Sequence, residues 1–363
     1  MPKTTLAALC LVIFSCLVIT SAQDHRHDAA ANVPPDGVRD PNDDFEPDGP
    51  YFSRKKPFLQ NGVAVWEYEL TITEQQVRLA NGIMYKVWAY GNRVPGPTLR
   101  AREGDLVRVH VSNETSSFHT IHFHGLFVPE KMDGVPPTSP AIAPGDSFTY
   151  EFIAKPAGTH FYHCHVDSNE HLNRGMSGAF IVEPKVPEPH VDKDIVLLLS
   201  EWNSKYAQEG RPGNPTEVAS SDFFTFNARS FPYTEALHAT LGDIIRIRLI
   251  NVGSQPHSIH LHGHSFLVTH KDGKPLHEPT EMDTVAVAPG ERADIVFRAA
   301  NVGEWPIHCH TPAHQTNAGA YPGGMMVHLM VAAHPGVQNA GDPVVLTRQL
   351  RLTWKASAIR HGY

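Results

Sequence analysis

The 363-residue chain is long enough for two domains with full cores, and its 41% hydrophobic and 19% charged residues are ordinary for a soluble globular protein. Its formal net charge is -8, and no basic run stands out that would neutralise phosphates, which excludes a nucleic-acid partner. The unusual feature is the content of 24 histidines.

Residues 1–22 have the pattern of a cleaved secretory signal. Lys3 stands near the start, an apolar run extends from Leu6 to Ile19, and the small residues Thr20, Ser21 and Ala22 end the segment. The apolar run is too short to span a membrane comfortably, so a membrane anchor is the weaker interpretation. The mature protein is therefore predicted to be exported, either periplasmic or secreted, and to have no membrane span.

The next segment, residues 23–60, is rich in Asp, Pro, Asn and His and lacks apolar periodicity. This composition predicts a flexible N-terminal extension. From Val63 onwards the chain shows short segments in which apolar and polar residues alternate, for example between Val107 and Val111 and between Phe148 and Phe152. Alternation with period two predicts half-buried strands, and no long segment has the helical period of 3.6. The fold class is therefore predicted to be all-β.

An internal repeat organises these strands. Motifs in the first half recur 138 residues later (Gly104 to Gly242), and the Pro-Gly and His-Cys-His motifs recur 145 residues later, so the second copy gained seven residues between them. We predict two tandem β-sandwich domains at 61–186 and 187–335, joined by a Pro-rich segment, and a C-terminal tail at 336–363 with one possible strand from Val344 to Leu352. The matched residues include Asn113 with Asn251, Gly125 with Gly263, Pro144 with Pro289, Gly158 with Gly303 and Cys164 with Cys309.

Cysteine usage favours metal thiolates over a disulfide. Cys10 and Cys16 leave with the signal, and the remaining Cys164 and Cys309 both stand in His-Cys-His tripeptides. A disulfide between these two is the alternative in an exported protein. It gives no reason for a histidine on both sides of each sulfur, so it is the weaker interpretation.

Each predicted domain also carries a His-x-x-His-x-His-Gly segment. Successive side chains of a strand face opposite ways, so a cysteine can bind one metal while the histidines beside it face another. Thiolate, imidazole and thioether ligands are those of a trigonal blue-copper site with a weak axial Met. The two predicted sets are His119, Cys164, His171 and Met176 in the first domain and His257, Cys309, His314 and Met325 in the second.

The axial ligand of the second set has an alternative, because Met326 is adjacent to Met325. The remaining histidines of the motifs share the opposite face, and eight imidazoles brought together suit a cluster of several copper ions. The predicted quartets are His122, His124, His163 and His165 in the first domain and His260, His262, His308 and His310 in the second.

These residues resemble the four ligand motifs of the multicopper oxidases, and the two-domain arrangement resembles their small laccase-like branch. The resemblance covers roughly residues 80–332, with scaffold phrases at 94–99 and 283–292. It implies cupredoxin-like Greek-key sandwiches in which a blue copper passes single electrons through the cysteine and its neighbouring histidines to a three-copper cluster. Dioxygen is reduced to water at that cluster. By resemblance, His122 and His260 hold its lone copper and the other six histidines hold the pair.

The resemblance also implies an assembly, a proton donor and a class of electron donor. In two-domain members the cluster lies between subunits in a head-to-tail ring, so a homotrimer is expected. Asp133 resembles the acidic residue that follows the first histidine motif and is expected to supply protons, although a turn-forming Asp before Gly134 is a comparable interpretation. The electron donor is expected to be a phenol, an aromatic amine or a metal ion.

Two other functions compete with the oxidase. Copper nitrite reductases share the two-domain trimeric build, but they place an Asp where this chain has His122 and lack a His-Cys-His in the second domain. A copper-binding electron carrier without turnover would need only the two blue sets and would leave eight imidazoles without a role. Several two-domain oxidases keep a blue set in one domain only, whereas both sets are complete in this sequence.

Overall fold

The computed structural model describes residues 57–80, 82–205, 220–335, 341 and 343–360. The predicted signal peptide (1–22) lies outside the described residues, as does the predicted extension (23–60) apart from its last four residues. Within the described part of the chain, no helix is both long and apolar enough to cross a membrane.

Strands dominate the first domain, as the alternation predicted. Two sheets form a sandwich, with the order β1-β2-β5-β7 in one, where β3 pairs with β2, and the order β4-β9-β8-β6 in the other. The strands are β1 (Phe58–Gln60), β2 (Val63–Ala80), β3 (Ile83–Tyr90), β4 (Gly96–Arg102), β5 (Leu106–Asn113), β6 (His122–His124), β7 (Ser147–Ile153), β8 (Gly158–His163) and β9 (Ser177–Glu183), and the helix α1 is Ser168–Asn173.

Alternation in β5 shows why these residues form a sandwich. Its apolar side chains Val107, Val109 and Val111 are buried, and the residues between them are partly exposed. They face a core that contains Phe123 and Phe180 from the opposite sheet. The strand β2 is longer than the short segments that were predicted, because its first half pairs with β5 and its second half with β3.

The second domain repeats the sandwich with two larger sheets. Their orders are β11-β10-β13-β18-β15-β16 and β12-β20-β19-β14-β17. The strands are β10 (Lys193–Trp202), β11 (Phe223–Phe226), β12 (Leu237–Thr240), β13 (Ile244–Asn251), β14 (His257–Leu261), β15 (Phe266–Lys271), β16 (Lys274–Met282), β17 (Thr284–Val287), β18 (Arg292–Arg298), β19 (Gly303–Cys309) and β20 (Met326–Ala332).

The repeated asparagines have the same structural role in both copies. Nδ2 of Asn113 donates to the carbonyl of Ile142 at 3.0 Å, and Nδ2 of Asn251 donates to the carbonyl of Val287 at 2.9 Å. The backbone carbonyl of each asparagine accepts a hydrogen bond from the N–H of a turn glycine. This glycine is Gly145 in the first domain and Gly290 in the second, and both have a positive φ. These buried bonds fix the segment that precedes each histidine motif.

The seven residues gained by the second copy fall where β15 and β16 form a hairpin. Its turn, Asp272-Gly273, has positive φ at both residues, as a tight hairpin requires. The turn touches the first domain so closely that a Cβ on Gly158 would lie 1.9 Å from the carbonyl oxygen of Gly273. The insertion therefore contributes to the contact between the domains.

The predicted C-terminal strand from Val344 to Leu352 is wrong, because this segment belongs to the helix α2 (Pro343–Arg360). The prediction that no long helix is present is corrected with it. Leu350 and Trp354 lie one turn apart and pack on Leu267 of β15 and Val296 of β18. Among the helix residues whose side chains the structure describes (347–360), Leu350 and Trp354 are the large apolar ones that are buried, so the helical period was weak, and the Val-Val-Leu run at 344–346 imitated a strand.

Charged residues link the two domains across a buried interface. Asp194 on β10 binds Arg246 and Arg248 of β13, and Arg100 of the first domain lies 3.5 Å from the same carboxylate. Oγ1 of Thr159 donates to Asp294, whose side chain is 1% exposed. These contacts explain why β13 is buried on both faces instead of one.

Candidate metal centres

The first Cys-His-His set is assembled in the core of the first domain. The Nδ1 atoms of His119 and His171 lie 4.0 and 3.0 Å from the sulfur of Cys164, and 3.2 Å from each other. All three residues are buried. Trp88 packs edge-on against both imidazoles, with ring centroids 5.0 and 4.7 Å away. Two imidazoles and a sulfur thus converge on one point in a buried site.

The second set has the same construction. The Nδ1 atoms of His257 and His314 lie 3.7 and 3.4 Å from the sulfur of Cys309, and 3.1 Å from each other. The ring of Phe224 stacks on His314 at a centroid distance of 4.0 Å. All three donor residues are buried. The two sets therefore use corresponding histidines and cysteines of the internal repeat.

A shared backbone arrangement closes the loop between each cysteine and its methionine. The N–H of Cys164 donates to the carbonyl of Met176, and the N–H of Cys309 donates to that of Met325. The backbone N–H of Met176 donates to the carbonyl of His171, and that of Met325 donates to the carbonyl of His314. The longer second loop is therefore closed by the same bonds as the shorter first one.

The methionines support one of the two alternatives for the second set. Met176 is fully buried in the same core cluster as Cys164, and Met325 is fully buried in the same cluster as Cys309. Met326 begins β20 directly opposite His308, so its side chain lies on the same face of the sheet as His308 and on the opposite face from Cys309. Met325 is therefore the axial candidate that shares the cysteine's surroundings.

The first histidine quartet comes together where β6 pairs with β8. His122 stands opposite His163 in the ladder, and its ring centroid lies 5.8, 5.2 and 5.5 Å from those of His124, His163 and His165. Ligand atoms of His122, His124 and His163 all lie within 4.8 Å of one another. The strand β8 ends at His163, yet the ring of His165 stays 5.7 Å from that of His163, so the predicted grouping holds past the strand end.

The second quartet is built in the same way and is more open. The ring centroid of His260 lies 4.8, 5.7 and 5.7 Å from those of His262, His308 and His310, and Nε2 of His262 lies 3.0 Å from Nε2 of His308. His262 and His310 are exposed, whereas His308 is buried. The structure thus brings together the four imidazoles predicted for each domain.

Backbone carbonyls fix which nitrogen each quartet histidine presents. Nδ1 of His122 donates to the carbonyl of Asp133 at 2.7 Å, and Nδ1 of His260 donates to that of Asp283 at 2.8 Å. In both rings this leaves Nε2 free of its proton and able to bind a metal. The carboxylate of Asp133 also lies 3.4 Å from Nδ1 of His122.

Asp283 was not predicted as the counterpart of Asp133 and entered the sequence analysis only as the first residue of the scaffold phrase at 283–292. The signal was present in the sequence, since a Met-Asp pair follows both histidine motifs, at Met132-Asp133 and at Met282-Asp283. The turn interpretation of Asp133 is also supported. Gly134 has φ +71°, and a Cβ there would lie 1.9 Å from the carbonyl oxygen of Ile121.

Electrostatics distinguishes the two Cys-His-His sets. Burial alone raises the pKa of Cys309, but hydrogen bonds from His257 and His314 outweigh it and lower that pKa to about 5. Burial lowers the pKa of His257, but hydrogen bonds to Cys309 and Glu201 outweigh it and raise that pKa to about 9. In the first set burial prevails, raising the pKa of Cys164 and lowering the pKa of His119 to about 3. Without metal, only the second set favours a thiolate.

Two models of the multicopper oxidase family match this chain, one over residues 71–187 and the other over residues 208–336. The chain belongs to the multicopper oxidases. Each matched segment contains one Cys-His-His set and one histidine quartet. The match therefore covers the residues that the structure brings together in both domains.

Known proteins similar to this multicopper oxidase include one with a solved structure, the blue copper oxidase from Nitrosomonas europaea. It has 44% sequence identity and a TM-score of 0.71, over 74% of this chain and 86% of that chain. The multicopper oxidase MmcO of Mycobacterium tuberculosis is 30% identical over 65% of this chain and 53% of its own length. The copper-containing nitrite reductase of Neisseria gonorrhoeae is 27% identical over 78% of this chain and 71% of its own. The chain thus spans about half the length of MmcO.

The comparisons confirm the predicted fold class and cofactor of this multicopper oxidase. Its two tandem sandwiches are cupredoxin-like domains, and copper is its cofactor. The residues present fit that metal. A buried sulfur with two imidazoles and a methionine in the same core is a donor set suited to copper. In the second set, the lowered pKa of Cys309 supplies the deprotonated sulfur that metal binding needs.

Proposed function

We propose that this multicopper oxidase takes single electrons from a donor at its two Cys-His-His sets and uses them to reduce dioxygen to water at the histidine quartets. Copper, when bound, would supply the one-electron redox chemistry, as a blue centre in each set and as a three-copper cluster at the quartets. The observation that carries the proposal is the double use of each His-Cys-His tripeptide. Cys309 belongs to a set, while His308 and His310 belong to a quartet.

The same tripeptide provides a short connection between a set and its quartet. Nδ1 of His308 donates to the carbonyl of Cys309 at 3.0 Å, and Nδ1 of His163 donates to the carbonyl of Cys164 at 2.9 Å. A covalent path and a hydrogen bond thus join each cysteine to the quartet. Both domains are proposed to use this connection, so each chain would contribute two electron entry points.

The proposed cluster lies between subunits. Two histidines of the second quartet, His262 and His310, are exposed in the single chain, which suits a surface completed by another subunit. A head-to-tail contact between the first quartet of one subunit and the second quartet of the next closes a ring in a homotrimer. We propose this assembly, an exported location, and a donor that is a phenol, an aromatic amine or a reduced metal ion.

Reduction of dioxygen to water consumes protons, and we propose that Asp133 supplies them to the cluster. Its carboxylate lies beside His122 and is 37% exposed, so it contacts both the quartet and solvent. We expect Asp133→Asn to lower kcat for dioxygen uptake by about 10²-fold, the lower end of the range for a general acid. Asn keeps the shape and the backbone carbonyl that accepts from His122.

The matched control for this prediction is Asp146→Asn, which alters an exposed aspartate elsewhere in the domain. Copper content and dioxygen uptake of both variants give the comparison. Full copper loading with a lowered kcat supports proton supply by Asp133. An Asp133→Asn enzyme as fast as the control would leave only the turn role of this residue.

Nitrite reduction is the competing function, because a nitrite reductase is among the similar proteins. Two features favour the oxidase. His122 stands where nitrite reductases are expected to have an Asp, and the second domain has a complete Cys-His-His set and a complete quartet. An electron carrier would leave both quartets without a role.

Copper per chain, together with uptake of dioxygen and nitrite, tests the proposed function. We expect about five copper ions per chain, two from the sets and three from the share of the ring's clusters. We expect dioxygen uptake with a phenol, an aromatic amine or ferrous ion, and no loss of nitrite under the same conditions. About two copper ions per chain with consumption of nitrite would replace the oxidase with a nitrite reductase.

A further inference from the structure

The two Cys-His-His sets differ in what binds the outer nitrogen of one histidine. In the first set, Nε2 of His119 donates to Oγ1 of Thr115 at 2.7 Å, and this hydroxyl donates in turn to Oδ1 of Asn113 at 2.8 Å. In the second set, Nε2 of His257 donates to Oε1 of Glu201 at 3.0 Å. One imidazole is therefore bound to a neutral hydroxyl and the other to a carboxylate.

The internal repeat shows how the second set makes room for this carboxylate. Thr115 corresponds to Gly253, 138 residues later. A Cβ on Gly253 would lie 2.1 Å from Oε2 of Glu201, so a side chain there would force the carboxylate to move. Gly253 has no positive φ, so its backbone conformation does not require glycine. A side chain at position 253 and the Glu201 carboxylate in its present position therefore compete for the same space.

Both domains carry a glutamate at the same place in the sheet, but only that of the second domain contacts a histidine of its Cys-His-His set. The residue opposite the repeated asparagine is Ile72 in β2 and Leu199 in β10, and a glutamate follows two positions later in both strands. Glu74 is exposed. The side chain of Glu201 is 1% exposed and reaches the second set.

Glu201 is held as an acceptor by three N–H groups. Besides His257, the backbone N–H of Gln255 donates to its Oε1 at 2.8 Å, and the backbone N–H of Ser254 donates to its Oε2 at 3.0 Å. All three contacts use the carboxylate as a hydrogen-bond acceptor, which is the role that its two oxygens can fill. The side chain of His257 is fully buried, so water does not screen this charge from the set.

We propose that Glu201 is a positioning residue that sets the reduction potential of the second blue-copper centre below that of the first. The inference rests on the proposed function, because it needs copper in both sets. A carboxylate that accepts from a ligand imidazole makes that imidazole a stronger electron donor. It also places negative charge near the metal. Both effects favour Cu²⁺ over Cu⁺, so the couple Cu²⁺ + e⁻ → Cu⁺ moves to lower potential.

The consequence is that the two electron entry points of one chain differ in the donors that they accept. The first centre, with Thr115 behind its histidine, accepts electrons from weaker reductants. The second centre, with Glu201 behind its histidine, accepts them only from stronger reductants. The chain would then serve a wider range of donors than two identical centres.

Variants with a single blue centre test the order of the potentials. Cys164→Ser leaves the second centre and Cys309→Ser leaves the first, and the thiolate-to-copper absorption of each is followed in a spectroelectrochemical titration. We expect the second centre to favour Cu²⁺ over Cu⁺ at least tenfold more than the first, which is about 59 mV for one electron. Equal potentials, or the reverse order, would overturn the inference without any glutamate variant.

Two further changes assign the difference to Glu201. In the Cys164→Ser background, Glu201→Gln removes the charge at constant shape and should raise the potential towards that of the first centre. The double change Glu201→Ala with Gly253→Thr installs the arrangement of the first set and should raise it as well. In the Cys309→Ser background, Glu201→Gln should leave the potential unchanged. An equal shift in both backgrounds would show a general structural effect and would contradict the assignment.

These outcomes separate the inference from the proposed function. If dioxygen uptake and copper content are as proposed but the two centres have one potential, only the inference fails. If neither single-centre variant gains a blue absorption when loaded with copper, the proposed function fails and the inference fails with it.

Discussion

Dioxygen reduction should be lost in His124→Phe and in His262→Phe and should return when the two variants are assembled in one ring. Each replacement removes one imidazole from a quartet, and neither residue adjoins a set cysteine. In the proposed ring, the intact first quartet of a His262→Phe subunit meets the intact second quartet of a His124→Phe subunit. A trimeric ring that holds both variants has two subunits of one and one of the other, so one of its three interfaces is complete, and about a third of the wild-type activity per subunit is expected.

The mixed rings are obtained by coexpressing the two variants with different affinity tags and purifying on both. His190→Phe is the matched control, because this histidine is 79% exposed and lies outside the quartets, so it should keep full activity. Both quartet variants should also keep their blue absorption. If coexpression restores nothing while each variant retains its blue centres, the cluster is not shared between subunits and the proposed assembly is wrong.

Asp194→Ala should destabilise the chain by about 3–5 kcal/mol, the cost of removing one partner from a buried ion pair. Asp194 binds Arg246 and Arg248, whose side chains are 7% and 3% exposed, and Arg100 of the first domain adds a third guanidinium. Without the carboxylate, these buried positive charges repel one another. Denaturant unfolding monitored by tryptophan fluorescence measures the loss, with Asp146→Ala as an exposed control that should change stability by less than about 0.5 kcal/mol.

The same carboxylate predicts a pH dependence of stability. Burial raises the pKa of Asp194, but Arg248 and Arg246 outweigh it and hold that pKa well below the ordinary value of 3.8. The unfolded chain therefore binds this proton before the folded chain does, and the stabilisation is present above about pH 4 and declines as the pH falls further. The difference in unfolding free energy between wild type and Asp194→Ala should be constant near neutral pH and shrink in acid. A difference that grows in acid would contradict this assignment.

The repeat is the reason that so much of the site was predictable. Matched segments at a fixed separation must occupy matched places in two copies of one fold, so the histidine motifs could be sorted by strand alternation without coordinates. The quartets and the two Cys-His-His sets assemble as that sorting predicted. The missed counterpart Asp283 lies 150 residues after Asp133, which matches neither the separation of 138 nor that of 145, so the repeat did not pair the two.

The helix α2 shows where sequence patterns were insufficient. Over its described side chains, at 347–360, the large apolar residues that are buried are Leu350 and Trp354, and they pack on Leu267 and Val296, which lie more than fifty positions earlier in the chain. A pattern that weak becomes a helix only when it packs against a surface that local sequence does not describe.

The sequence by itself determined the β-sandwich fold, the candidate ligand residues and their division between sets and quartets, because these depend on spacing and on alternation along single strands. Tertiary structure decided that Met325 shares the core cluster of Cys309, that His262 and His310 are exposed, and that Glu201 contacts His257. These features depend on side chains from separate strands meeting in a core, and no spacing within one segment encodes such a meeting.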